Sequence, residues 1–273
     1  VLAGKKFNFL PIFSLLFNIF LQHQITKLKT NNMKKITQLL LIFALAIASC
    51  KKEDSTKKFT CSTCKQSAEA LAENDASSKG IYKGVVIGSS GTIEFNIANN
   101  NSTITATMVL DGNTVNLTSN VTWSGGQAFI APFTGTLNGN AVSITFSVDP
   151  NGSNPIVTTA NIPGHPNTVF TITKETSNNL VECFEGQYTE GAPDNTSGTF
   201  NIVLSRTLKK WSGYYKQNNS TSGGSVGGQI NSSNQLVDTK TGYTMATLNG
   251  DEISGQFTNS TPATVTVNGQ RSW

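Results

Sequence analysis

Thr103–Leu110 reads TITATMVL and runs directly into Asp111-Gly112. In an extended chain Ile104, Ala106, Met108 and Leu110 fall on one side, and Thr103, Thr105 and Thr107 on the other. A period of two, apolar against small polar, marks a half-buried antiparallel strand. Asp-Gly accepts the positive φ that a two-residue hairpin requires, so the chain should reverse there. The same alternation recurs in Val142, Ile144, Phe146 and Val148, in Phe200, Ile202 and Leu204, and in Val265 and Val267. Asn138-Gly139, Asn249-Gly250 and Asn268-Gly269 read as further hairpin joints, and Ile162-Pro163-Gly164-His165-Pro166 as a rigid turn. Gly88-Ser89-Ser90-Gly91 lacks the lysine and helix that follow a phosphate loop, and is expected to be a hairpin turn. Consecutive hairpins predict an all-β antiparallel meander.

The pattern is written twice. Ile81-Tyr82-Lys83-Gly84 parallels Cys183-Phe184-Glu185-Gly186 at an offset of 102, Gly91-Thr92-Ile93 parallels Gly198-Thr199-Phe200 at 107, and Thr136-Leu137-Asn138-Gly139 recurs as Thr247-Leu248-Asn249-Gly250 at 111. Trp123-Ser124-Gly125 and Trp211-Ser212-Gly213 keep the order with poorer spacing. Two β repeats follow, over 79–175 and 176–273, each long enough for a small barrel or curved sheet. One larger barrel or a sandwich is the alternative, since either would also cover the sheet edges. The aromatic-x-Gly opening and glycine-rich hairpins resemble lipocalin-like and avidin-like meander barrels.

A second boundary lies upstream. Met33–Cys50 reads MKKITQLLLIFALAIASC: two lysines, the apolar run Leu39–Ile47, then Ala48 and Ser49 before Cys50. Such a run is too short to span a bilayer, which takes about 20 apolar residues, and it suits the core of a secretory signal. Ile47-Ala48-Ser49-Cys50 resembles the lipobox of bacterial lipoproteins. That resemblance implies cleavage before Cys50 and lipid attachment to it, and so an outer-membrane lipoprotein facing the cell surface or the periplasm. Met33 is expected to be the start, with 1–32 translated upstream sequence and 33–49 the signal. Residues 50–60, which include Lys51–Lys58 (KKEDSTKK), should form a solvated tether. Lysines and acids after the lipid cysteine resemble the surface-export signals of Bacteroidota lipoproteins, and Asp54-Ser55-Thr56 resembles that phylum's O-glycosylation sequon, with Ser55 the acceptor. As a whole the chain resembles Bacteroidota-type lipoproteins carrying a Cys-x-Thr-Cys element and duplicated β repeats, a group that implies no particular activity.

The boundary also changes the charge. The whole chain carries +4, but residues before Cys50 hold six of the 20 basic residues and none of the acids; from Cys50 onward 14 face 16, a net of −2. That balance offers no basic patch for nucleic acid.

Residues 61–78 should hold a CxxC and a short helix. Cys61-Ser62-Thr63-Cys64 precedes Lys65–Asn74, rich in helix formers. CxxC can do redox work or supply half a zinc site. Without a second CxxC or a βαβ pattern, a local disulfide or a pair of thiols without a role competes with both. Cys183, on a predicted strand, reads as a buried odd thiol.

Candidate chemistry is sparse, and neither a cofactor nor a metal is implied. His165, the only histidine after the signal, lies in turn sequence. Paired acids for glycoside hydrolysis would need to converge, but Asp251 and Glu252 are adjacent and Glu182 and Glu185 three apart, so each pair splits across a strand. Asp111, Asp149 and Asp194 suit turns. Trp123, Trp211, Tyr214 and Tyr215 offer flat apolar faces with polar handles, suited to stacking on a sugar or lining a barrel mouth. Core packing is the competing use. The expectation is a lipid-anchored, non-catalytic binding module for a small apolar or carbohydrate ligand. The alternatives are a structural or protein-docking envelope component, or a carboxylate-based hydrolase. Replacing Cys50→Ala should abolish incorporation of labelled fatty acid; persistent labelling would overturn the lipobox reading.

Overall fold

Alternating strands joined by tight turns build nearly everything in the computed structural model, which describes residues 58–88, 90–100, 103–124 and 126–273. Cys50, Ser55, the signal and the upstream segment lie outside the described residues. The strands are β1 (Gly80–Ile87), β2 (Gly91–Ile97), β3 (Ile104–Leu110), β4 (Asn113–Thr118), β5 (Phe129–Leu137), β6 (Asn140–Val148), β7 (Ile156–Asn161) and β8 (Val169–Lys174), then β9 (Glu182–Glu190), β10 (Ser197–Ser205), β11 (Lys210–Gln217), β12 (Gly223–Ile230), β13 (Gln235–Asp238), β14 (Thr244–Asn249), β15 (Glu252–Thr258) and β16 (Thr264–Arg271). All pair antiparallel with their neighbours. The first eight form a sheet ordered β7-β6-β5-β4-β3-β2-β1-β8, and the second eight a closed barrel in which β16 returns to β9. The first sheet is nearly closed, with its two edge strands β7 and β8 sharing no ladder. Two tandem barrels thus form rather than one larger barrel or sandwich.

The hairpins follow the turn chemistry. Asp111-Gly112 and Asn138-Gly139 both have positive φ, at 47° and 76° and at 50° and 80°. At Asn249-Gly250 only the glycine does, with φ 65°. Asn268-Gly269 is no turn: it lies inside β16, paired with β15 on one side and β9 on the other. There the glycine serves space, since a Cβ on Gly269 would sit 2.9 Å from the Phe200 ring.

The repeat is visible in register. Gly84 pairs with Ile93 between β1 and β2, and Gly186 with Phe200 between β9 and β10, so residues matched in sequence occupy the same rungs. The shared Thr-Leu-Asn-Gly turn equates β5–β6 with β14–β15. On that alignment β13 stands where the first barrel has the segment 119–128, with no strand among its described residues, and β7 has no counterpart.

The segment Lys65–Asn74 is not an α-helix. Only Ala72–Asn74 forms a turn of 3-10 helix. Long-range bonds outcompete the local propensity. The Glu69 amide donates to Glu175 Oε1 at 2.7 Å and the Leu71 amide to Asn99 Oδ1 at 3.1 Å, which takes both donors from any helix. Nor does a solvated tether extend to residue 60. Lys58 Nζ donates to Asn249 Oδ1, the Phe59 amide to Glu252 Oε1 and the Cys61 amide to Asp251 Oδ2. Residues 58–78 therefore form a strap, fastened to the β14–β15 hairpin of the second barrel and to Asn99 of the first.

The barrels meet along β1. Tyr82 and Val86 face the first core, whereas Val85 and Ile87 pack with Val181, Cys183 and Val203 in a separate cluster between the barrels. Every residue of β1 is consequently buried. Within this contact Asn201 Nδ2 donates to the Val86 carbonyl at 2.7 Å. Lys83, 1% exposed, places Nζ 2.9 Å from Glu175 and 3.8 Å from Glu94. Glu175 also accepts the Val181 amide at 3.1 Å.

Three carboxylates surround the Lys83 ammonium, Glu69 at 3.5 Å being the third, and Glu175 and Glu94 should respond oppositely to neutralisation. Glu175→Gln removes the nearest counter-charge of a buried ammonium, leaving it only Glu69 and Glu94 at longer range, and should cost about 3 kcal/mol in urea unfolding. Burial pushes Glu94 from 4.5 up to about 6, against the pull of Lys83. The native state then holds this proton more tightly than the unfolded chain does, so the associated stability is present below pH 4.5 and lost as pH rises through 6. Glu94→Gln should accordingly stabilise the protein above pH 6, by about 1 kcal/mol, and flatten that part of its stability profile.

Candidate functional site

Inward positions decide what each barrel can hold. In the first, Phe95, Phe129, Phe133 and Phe146 converge: Phe95 stacks on Phe146 with centroids 4.3 Å apart and meets Phe133 edge-on at 5.1 Å. Val115 and Leu117 fill in from β4. Trp123 comes in from the strandless segment 119–128 and rests edge-on against Phe129 at 5.6 Å. It packs on the first core rather than lining an open site. It is also not the counterpart of Trp211, which sits near the start of β11.

The second barrel is built from the same ladders with smaller inward residues. On β12, Gly224 pairs with Tyr215 and Gly228 with Trp211, so this wall presents glycine where β4 presents Val115 and Leu117. The aromatic rings of neighbouring strands lie across the glycine positions. A Cβ at Gly198 would come 2.5 Å from the Tyr188 ring, one at Gly186 would come 2.4 Å from Phe200, and one at Gly224 would come 3.1 Å from Tyr215. Rings held against the wall leave the lumen unfilled, and a cavity of about 570 Å³ remains. Such a volume falls within the range of small-molecule sites.

The cavity runs from an apolar floor to a polar mouth. Ile202, Trp211, Leu236 and Ile253 line its depth, and Trp211 Nε1 donates to the Val237 carbonyl at 3.3 Å. The mouth opens at the end opposite the strap, among Tyr188, Glu190, Tyr215, Asp238, Lys240, Tyr243, Phe257 and Asn259. Tyr188 and Tyr215 meet edge-on at 5.9 Å, and Tyr243 lies 5.9 Å from Phe257. Glu190 accepts Thr196 Oγ1 at 2.6 Å and also the Asn259 amide group. Asp238 accepts the amides of Lys240 and Thr241 and the Thr241 hydroxyl on Oδ1, and the Gly227 amide on Oδ2. Burial raises the Asp238 carboxyl, but these bonds outweigh it and hold the group below its usual range. Burial also raises the Tyr188 phenol, helped by Tyr215 and the charge of Glu190.

Of the residues singled out in the sequence, Trp211 and Tyr215 share this cavity. Tyr214 does not: it sits on the other face of β11 and packs against the inter-barrel cluster. Adjacent strand residues face opposite ways, so the pair could not both enter. Cys61 and Cys64 are joined by a disulfide on the strap, and Cys183 is buried between the barrels with its thiol pushed up by burial. His165 lies in the turn before β8, its Nε2 3.7 Å from Asp111.

The acids considered for hydrolysis are engaged elsewhere. Glu182 pairs with Arg206 at 2.8 Å, and Asp251 and Glu252 hold the strap. Asp194 accepts Thr261. Among the described residues no group of three or more His, Cys, Asp or Glu side chains is placed to hold a metal. A second concavity, about 540 Å³, lies along β9, β15 and β16 and is lined largely by polar residues such as Gln187, Asn268 and Gln270. Tyr188, Tyr243, Phe257, Glu190 and Asp238 escaped the sequence reading. The glycine run Gly223-Gly224-Ser225-Val226-Gly227-Gly228 was the available signal, since a strand with so little side chain leaves its barrel underfilled.

Compared with known proteins, the chain matches no family model, no curated protein and no solved structure.

Proposed function

We propose that the protein is a non-catalytic binding module whose second barrel takes up a small, largely apolar ligand through its open mouth. The observation that carries this reading is the contrast between the two repeats. In one, four buried phenylalanines meet ring to ring across the core, whereas the other keeps about 570 Å³ open behind an aromatic mouth. An unfilled apolar lumen forgoes the dispersion contacts that its walls could make, so its retention calls for an occupant. The lining suits a ligand whose apolar body reaches Ile202 and Trp211 and whose polar end stays near Glu190, Asp238 and Asn259. Hydrolysis is less well supported, because the mouth carboxylates are already engaged, Glu190 by Thr196 and Asn259 and Asp238 by Gly227, Lys240 and Thr241.

The same proposal places the module at the outer membrane, on a lipid attached to Cys50. What supports this is the lipobox-like sequence together with the position of the strap. Residue 58 begins the described chain at the β14–β15 hairpin, the end of the barrel away from the mouth.

The neutral apolar probe N-phenyl-1-naphthylamine should brighten on binding. Val226→Trp, which fills the lumen from β12, should weaken its binding at least tenfold while leaving thermal unfolding cooperative. Trp123→Phe, in the packed barrel, should leave binding unchanged. Undiminished binding by a folded Val226→Trp protein would place the probe elsewhere and overturn the assignment.

A further inference from the structure

The charges and rings around the mouth specify the ligand further, on the reading that the second barrel binds a small apolar molecule. Among the described residues the ionisable side chains lining the cavity, phenols aside, are Glu190, Asp238 and Lys240. Neither carboxylate lies within ion-pair distance of a cation among the described residues. Their partners are amides and hydroxyls, which fix the oxygens in place and leave the negative charge uncancelled. Lys240 is exposed, and it gives Asp238 its backbone amide. The sum over the lining is therefore −1.

The rings add to this field. Tyr188, Tyr215 and Tyr243 stand at the mouth, none with its hydroxyl bonded to a described residue, and Phe257 lies beside Tyr243. Aromatic faces carry negative electrostatic potential and attract a cation placed within about 6 Å. Two such ring pairs, together with carboxylates that no protein cation neutralises, disfavour an anionic head and favour a positive one. The rings are also fixed without a ligand, because Tyr188 lies across Gly198 and Tyr215 across Gly224. Preformed geometry spares the ordering cost that a mobile cage would carry.

We propose that the second barrel selects an organic cation: an alkyl- or aryl-substituted ammonium whose apolar portion enters the lumen while its charged head sits among Tyr188, Tyr215, Tyr243 and Glu190.

Three probes of similar size separate this from the broader reading. Benzyltrimethylammonium is the cation, neopentylbenzene its neutral isostere and 3-phenylpropanoate an anion of similar size. By titration calorimetry or ligand-observed NMR on the intact chain, the cation should bind at least tenfold more tightly than either, and less tightly at high salt. Glu190→Gln and Tyr188→Leu should each weaken cation binding more than neutral binding, lowering the ratio of cation to neutral affinity several-fold. Tyr243→Leu, on the exposed rim, provides the same reading should Tyr188→Leu fail to fold. Equal or tighter binding of the neutral or anionic probe overturns the cation assignment and leaves the apolar pocket standing. If none of the three binds and N-phenyl-1-naphthylamine fails as well, the pocket reading falls with it.

Discussion

The carboxylate of Glu175 ties together three separate parts of the chain at a single buried point. It is fully buried, and its two oxygens accept the Lys83 ammonium, the Glu69 amide and the Val181 amide. Those donors belong to a strand of the first barrel, to the strap, and to the segment leading into the second barrel. A buried carboxylate is tolerable only when its lone pairs are satisfied, and here each donor comes from a different element. Replacing the lysine–glutamate pair by apolar residues would remove the charge but strand two backbone amides. The site therefore behaves as a junction rather than as an isolated ion pair. Nearby, Arg271 plays a matching part for the second barrel, with Nη1 3.5 Å from both Glu182 and Asp251.

From this junction the two repeats diverge in strand complement, in closure and in side-chain volume. The ladders, the Gly84 and Gly186 rungs and the Asn-Gly hairpins are shared. What changes is that the first barrel spends its inward positions on phenylalanine, and the second gives several of its own to glycine and lays its aromatic rings flat over them. A duplicated scaffold can keep one copy as a rigid support while the other is emptied. The copy that remains full then supplies stability that the hollow one forgoes.

The alternation and the Asp-Gly and Asn-Gly turns made the strands legible, because strand period and turn chemistry are local. The duplication was legible for the same reason. Features that depend on distant partners were not. Lys65–Asn74 has helix-forming residues, yet Glu175 and Asn99 take its amides from another part of the fold. Asn268-Gly269 carries a hairpin sequence, but Phe200 needs the space above the glycine. Of the aromatic candidates, Trp211 and Tyr215 share the cavity because both are inward on β11, and Tyr214 is excluded by the parity of its neighbour. Glu190 and Asp238 gave no local signal, since their place at one mouth arises only when β9 and β13 close into the same ring.

The unjoined seam between β7 and β8 bears on how the molecule behaves in a crowd. Open sheet edges template pairing with other chains. Here the two free edges border one gap in a nearly closed wall, where each limits access to the other. At one end Lys174, with burial lowering it to about 8, donates to the Ser77 and Lys79 carbonyls and lies over the Tyr82 ring, filling space that an incoming strand would need. The outward side of β7 is threonine-rich and exposed. Two strand edges that face each other across one gap offer an incoming strand less room than the two outer edges of a flat sheet would.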